Sequence, residues 1–153
     1  MKIKKEQNIL NSEDELFYSP ISTYKTLIIC KGNTCRSVMF QSYLKKIKPK
    51  YEVFSAGVEI KEKRVEEKTL KTLLNNEIFP AKLKTESIEK FKEIKFDKIF
   101  ILDETIELNK KNFYLIREEN IININFKDPY KLNEEEYNKV FKDIKKYIDT
   151  IYK

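Results

Sequence analysis

The sequence predicts an α/β fold: a single domain with a four-stranded parallel sheet and helices on both faces. Three observations carry the prediction. Short apolar runs alternate with helical patterns along the chain, and such alternation implies parallel strands joined by crossover helices. The two glycines, Gly32 and Gly57, each lie just beyond an apolar strand pattern, at the sheet edge where parallel α/β folds bind ligands. The length of 153 residues suits one hydrophobic core.

The first strand, Thr26 to Ile29, is an unbroken apolar run that enters a short loop, and the first helix, Val38 to Ile47, leaves it. A second strand, Tyr51 to Ser55, precedes Gly57. Helical patterns follow over Glu66–Asn76 and Ser87–Ile94, then a strand over Lys98–Leu102, a helix over Thr105–Lys111 and a strand over Ile121–Ile124. The last helix, Glu134 to Tyr152, has the clearest signals. Asn133 is a favoured N-cap, three glutamates suit the positive end of the helix dipole, and lysines lie toward its end. Its Tyr137, Val140, Phe141, Ile144, Ile148 and Ile151 recur at helical spacing and read as core. The domain is expected over residues 24–153. Residues 1–23 read as an N-terminal extension in which Ser12–Glu15 has the pattern of a capping box.

The loop between the first strand and first helix is Cys30-Lys31-Gly32-Asn33-Thr34-Cys35-Arg36-Ser37. A loop closing onto a helix N-terminus points successive backbone N–H groups at one spot, where the dipole adds positive charge. A tetrahedral anion fits there, so this is a candidate phosphate-binding loop. The Arg36 guanidinium can grip two phosphate oxygens in a planar fork, which lysine cannot do. The same positive field favours the thiolate of Cys30, the nucleophilic form of a cysteine. Asn33 tolerates left-handed backbone. Gly32 and Gly57 are read as sites of positive φ or of close approach to a ligand. Asp128-Pro129, read alone, is an ordinary way to begin a turn.

Cys30 to Ser37 resembles the loop C-x-G-N-x-C-R-S of the low-molecular-weight protein tyrosine phosphatases at every fixed position. Ser55-Ala56-Gly57 and Asp128-Pro129-Tyr130 are similar to two further elements of that family, in the family's order. The resemblance implies hydrolysis of phosphotyrosine monoesters. Cys30 is the implied nucleophile, forming a phosphocysteine, Arg36 the phosphate-binding residue and Asp128 the general acid and then base. Lys31, Gly32, Asn33, Thr34, Cys35 and Ser37 would surround the phosphate, and Tyr130 would lie against the substrate ring. Ser37 would donate to the thiolate, and Ser55 would hold Asn33 in place. Cys35 is either a packing residue or a thiol that traps oxidised Cys30 as a disulfide, restorable by dithiothreitol.

Two departures from that family stand out. The extension ahead of the first strand is one. The other is Val58-Glu59-Ile60-Lys61-Glu62-Lys63-Arg64, which lacks the aromatic that usually walls the substrate cleft. Its basic cluster suits acidic flanking sequence or another phosphomonoester.

Absences narrow the chemistry. The chain has no histidine and two cysteines, which excludes Ser-His-Asp and Cys-His catalysis and a four-cysteine zinc site. The expected reaction uses no metal or cofactor. No apolar run reaches the length of a membrane span and no signal segment opens the chain; a thiolate role for the cysteines suggests a reducing compartment, the cytoplasm. The net charge of +6 arises from lysines interspersed with glutamates, a pattern without a basic stripe, so nucleic acid is not an expected partner. The expected partner is a phosphotyrosine protein or another phosphomonoester. The sequence leaves the oligomeric state open. Two rival readings remain: an arsenate reductase of the same fold using an external thiol, and a module that binds phosphoprotein without turnover.

Overall fold

The computed structural model describes residues 24–108 and 117–152. Within them β1 (Lys25–Cys30), β2 (Glu52–Gly57), β3 (Lys98–Ile101) and β4 (Ile121–Asn123) form one parallel sheet in the order β2-β1-β3-β4. The α-helices are α1 (Arg36–Ile47), α2 (Glu67–Asn75) and α3 (Glu134–Ile151). From β1 the chain moves to β2 on one side and then to β3 on the other. That reversal beside the C-terminal end of β1 is the switch point at which open α/β sheets bind ligands.

β1 lies inside the sheet and is buried on both faces, which is why it reads as a continuous apolar run. Its side chains alternate between two cores. Ile28 and Cys30 join Phe40 and Leu44 of α1, and Tyr137, Val140, Phe141, Ile144 and Ile148 of α3. Leu27 and Ile29 join Ala56, Ile99 and Ile101 on the opposite face, beneath Ile88, Phe91, Phe96 and Ile106. Five of the six apolar positions expected along the last helix are core; Ile151, in its final turn, is exposed.

Helical structure differs from expectation in three places. α1 starts at Arg36, two residues early, and takes Arg36 and Ser37 into its first turn. In place of a helix over Ser87–Ile94 there is a 3-10 helix at Ile88–Phe91, started by Ser87, whose side chain accepts the Glu89 N–H. Residues at i and i+3 eclipse in a 3-10 helix, so this short turn aims both Ile88 and Phe91 into the second core. Residues 105–108 are not helical. The Asp103 carboxylate takes the Thr105 N–H at 2.8 Å and its hydroxyl at 2.5 Å, a local turn that competes with helix formation. Residues 109–111 of that expected helix lie outside the described residues, as do the extension and its Ser12–Glu15 pattern. Among the described residues no helix is long and apolar enough to cross a membrane.

Candidate active site

Cys30 ends β1, residues 31–35 bend away from it, and Arg36 and Ser37 open α1. The two long helices begin differently. Asn133 caps α3 by accepting the Glu136 N–H at 3.0 Å, and three glutamates occupy that first turn. At α1 the N-cap residue Cys35 makes no side-chain cap bond and the first turn has no acidic residue. The first amides of a helix need acceptors. At α1 an external anion suits them where α3 supplies its own.

Asn33 organises the loop. Its φ is 59°, the left-handed region, whereas neither glycine has positive φ. Of the two alternatives read for the glycines, positive φ is not found at either; Asn33 takes the left-handed conformation it was expected to tolerate, held there by its side chain. Asn33 Nδ2 donates to Ser37 Oγ at 2.8 Å and Ser55 Oγ at 3.0 Å. Its Oδ1 accepts from Lys82 Nζ and the Glu86 N–H, both at 2.9 Å. Ser55 donates in turn to Gln41 Oε1 at 2.7 Å, and Gln41 Nε2 donates to the Val53 carbonyl. Every polar atom of this buried network is used, which is the condition under which such networks make a structure rigid.

The same network reaches the sulfur. Cys30 Sγ lies 3.0 Å from Ser37 Oγ and accepts the Asn33 N–H at 3.3 Å. A thiol donates to Ser37. Because Ser37 Oγ already accepts from Asn33, its own hydroxyl proton is available to a thiolate.

Gly57 sets how closely β2 approaches this loop. A Cβ there would stand 2.7 Å from the Lys31 carbonyl oxygen and 2.9 Å from the Gly32 carbonyl carbon, both main-chain atoms. The chain after it is tied to the loop by Val58 N–H to the Cys30 carbonyl at 3.2 Å and Glu59 N–H to the Lys31 carbonyl at 2.8 Å. Gly57→Ala is expected to displace the loop, destabilising the fold by about 1–3 kcal/mol. If the expected phosphomonoester hydrolysis takes place here, a loop misplaced by about 1 Å would lower kcat/KM for para-nitrophenyl phosphate about 100-fold. Thermal unfolding and steady-state kinetics read the two effects, and a kcat/KM within threefold of wild type would contradict the steric account. Gly32 is different: a Cβ meets only the Thr34 side chain, at ordinary contact distance.

Arg36 is 2 % exposed and fixed by the main chain. Nη1 donates to the Phe126 carbonyl at 2.9 Å and the Leu102 carbonyl at 3.4 Å, and Nη2 lies 3.0 Å from Asp103 Oδ2 and 3.4 Å from Asp128 Oδ2. Nε is buried and has no hydrogen-bond partner among the described residues. Partial burial works against the Asp103 charge, yet the Thr105 hydroxyl and N–H and the Arg36 guanidinium together hold its carboxyl below the usual range. Asp103 is a residue that sequence reasoning missed. Its signal was available: it directly follows the strand expected over Lys98–Leu102, at the ligand edge of the sheet.

The expected residues divide into a mouth and a floor. Lys31, Gly32, Thr34, Asp128 and Tyr130 line a cleft with Glu59, Lys61 and Glu62. Glu62 was not singled out by sequence, yet its carboxylate accepts the Tyr130 hydroxyl at 3.0 Å. The segment without an aromatic therefore meets the Asp128 loop through a polar contact. Asp128 Oδ1 accepts the Tyr130 N–H at 3.1 Å, and its side chain is about half exposed. Cys30, Asn33, Arg36, Ser37 and Ser55 are buried beneath. Cys35 is buried too, but its thiol turns to the Tyr137 hydroxyl at 3.5 Å, and burial above all pushes it up to about 11. Both cysteines are free thiols. Among the described residues no group of three or more His, Cys, Asp or Glu side chains is placed to hold a metal ion.

A parallel α/β sheet whose first strand ends in a cysteine and whose first helix opens with an arginine is the architecture of a class of cysteine-dependent phosphatases and related enzymes. Residues 25–153 match the family model described as low molecular weight phosphotyrosine protein phosphatase, and the chain belongs to that family. No curated protein sequence matches it. Among solved structures, the fold is similar to an arsenate reductase from Archaeoglobus fulgidus (24% identity, TM-score 0.70, 82% of this chain and 97% of that one). It is also similar to the tyrosine phosphatase Wzb from Escherichia coli K30 in complex with sulphate (15%, 0.71, 84% and 96%). A low molecular weight protein tyrosine phosphatase from T. tengcongensis gives 21%, 0.72, 84% and 97%. At these identities the likeness establishes the fold.

Proposed function

We propose that this chain hydrolyses phosphotyrosine monoesters through a phosphocysteine intermediate. One observation carries the reading: a buried arginine, positioned by two carbonyls and Asp103, keeps an unpartnered Nε beside a helix start that lacks acidic residues. A buried donor left unsatisfied costs about 1–3 kcal/mol, and a phosphoryl oxygen supplies the acceptor. Cys30 thiolate attacks phosphorus, forming the S–P bond as the P–O bond breaks. Asp128, at the mouth, gives its proton to the departing phenolate oxygen. Water then attacks the phosphocysteine, Asp128 carboxylate accepts the water's proton, and phosphate leaves with the thiolate restored. Arg36 and the loop amides hold the phosphoryl oxygens throughout, and Tyr130 lies along the ring.

The test is hydrolysis of para-nitrophenyl phosphate by wild type under reducing conditions with chelator present. Asp128→Asn is expected to slow a poor leaving group such as phosphotyrosine by about 100-fold or more. An activated ester should suffer less, because its leaving group needs the proton less. Equal losses on both substrates would remove Asp128 from the acid role, and no wild-type turnover would overturn the proposal. Arsenate reduction is the second reading, favoured by the arsenate reductase of similar fold. With Cys30 and Cys35 as its only cysteines, the chain would need an external thiol as reductant, and arsenate-dependent thiol oxidation without phosphatase turnover would select that reading.

A further inference from the structure

Lys82 is the unexpected residue of this site. Lysine is rarely buried without reason, yet this side chain is only 10 % exposed, and its ammonium places all three donors inside the protein. Nζ lies 2.9 Å from Asn33 Oδ1, 3.0 Å from the Ser55 carbonyl and 2.5 Å from Glu86 Oε1. A cation that served only to pair with Glu86 would do so at the surface, where Lys90 already does.

We propose that Lys82 is a positioning residue for Cys30, stabilising its thiolate through a buried hydrogen-bond relay from the Lys82 ammonium through the Asn33 amide and the Ser37 hydroxyl to the sulfur. The inference rests on Cys30 being the nucleophile. Its links measure 2.9, 2.8 and 3.0 Å. Each link is oriented by the one before. An ammonium can only donate, so it fixes the Asn33 oxygen on its side. The amide NH2 must then face Ser37 and Ser55. Ser37 Oγ accepts from that amide, which frees its proton for the sulfur. A cation at the amide oxygen also polarises the N–H bonds, and a hydroxyl that accepts a stronger bond donates a stronger one. The main-chain N–H of Glu86 supports the same oxygen, so a neutral partner alone would orient Asn33. What Lys82 adds is charge.

Lys82 faces Glu86, with Lys90 behind it, and is close enough to Cys30 for their charges to interact. Burial lowers the Lys82 ammonium from its ordinary value, and Glu86 opposes the shift. Cys30 shares its loop with Cys35, while Arg36 is engaged with Asp103 and Asp128.

Alkylation by iodoacetamide reads the thiolate without requiring turnover, so a failed relay is distinguishable from a failed phosphatase reading. At pH 6 Cys35, pushed up to about 11, stays protonated, and the reaction reports Cys30. Lys82→Gln, which retains a donor but no charge, is expected to slow alkylation at pH 6 by about 3- to 10-fold and move its pH profile upward. Lys82→Arg restores most of the rate. Glu86→Gln keeps the main-chain bond to Asn33 but removes the counter-charge, and is expected to speed alkylation at pH 6; it carries the test if Lys82→Gln does not fold. Profiles of Lys82→Gln or Glu86→Gln that superimpose on wild type would overturn the proposal, as would Lys82→Arg reacting as slowly as Lys82→Gln.

Discussion

Cys30→Ser is expected to lower turnover of para-nitrophenyl phosphate by about 10⁴-fold or more while leaving affinity for inorganic phosphate within about threefold of wild type. The two halves of that result have separate physical origins. Turnover needs a nucleophile ionised near neutral pH, and a serine hydroxyl in the same place is not. Phosphate affinity rests on groups the substitution does not touch: Arg36, fixed on the Phe126 and Leu102 carbonyls, and the start of α1. The substituted oxygen still finds Ser37 and the Asn33 N–H, the partners that now surround Sγ, so the loop has no cause to rearrange. Kinetics measure the first half and calorimetric phosphate titration the second. Residual turnover above about one part in a hundred would remove Cys30 as nucleophile; lost phosphate binding would mean that the thiolate, not the arginine and amides, organises the anion site.

That separation follows from what was legible in the chain. The strand, loop and helix start are contiguous, and the chemistry of Cys30 and Arg36 depends on their spacing within one segment. Sequence therefore reveals the cradle. The last helix was legible for a similar reason: its cap, first-turn glutamates and apolar stripe are all local. Asp128 and Tyr130 were different, since an Asp-Pro turn is ambiguous without the family resemblance. Partners chosen by tertiary packing left weaker marks. Asp103 reaches Arg36 because β3 lies beside β1, and its place just past a strand was the available hint. Nothing local separates Lys82 from the many exposed lysines around it, and only its burial against Asn33 sets it apart. The expected helix at Ser87–Ile94 failed because an i, i+3 apolar pair satisfies a 3-10 turn as well as an α-helix.

Arg36→Met is expected to destabilise the fold by about 3–5 kcal/mol at neutral pH, the range for breaking a buried ion pair by removing one partner. Methionine fills much of the space but leaves the Phe126 carbonyl without its 2.9 Å donor and Asp103 without its counter-ion. Asp103 retains the Thr105 bonds, which favours the lower end of the range. The pH dependence identifies the cause. In wild type the Asp103 carboxyl is held below its usual value, with Thr105 and Arg36 overcoming the effect of burial. A carboxyl depressed on folding contributes stability above its unfolded value of about 4, and that contribution disappears as pH falls through the lower folded value. The stability gap between wild type and Arg36→Met should therefore narrow between pH 7 and pH 3 in urea unfolding followed by circular dichroism. Asp103→Asn in the Arg36→Met background should recover part of the loss. An equal gap at both pH values would show that the pair adds nothing and that packing alone is damaged. Arg36→Lys completes the argument on the functional side. It keeps a positive charge but not the planar fork, so kcat/KM should fall about 100- to 1,000-fold with a smaller loss of stability. If lysine supported wild-type kinetics, a point charge would suffice at this position, and the unpartnered Nε would have no part in holding the phosphoryl group.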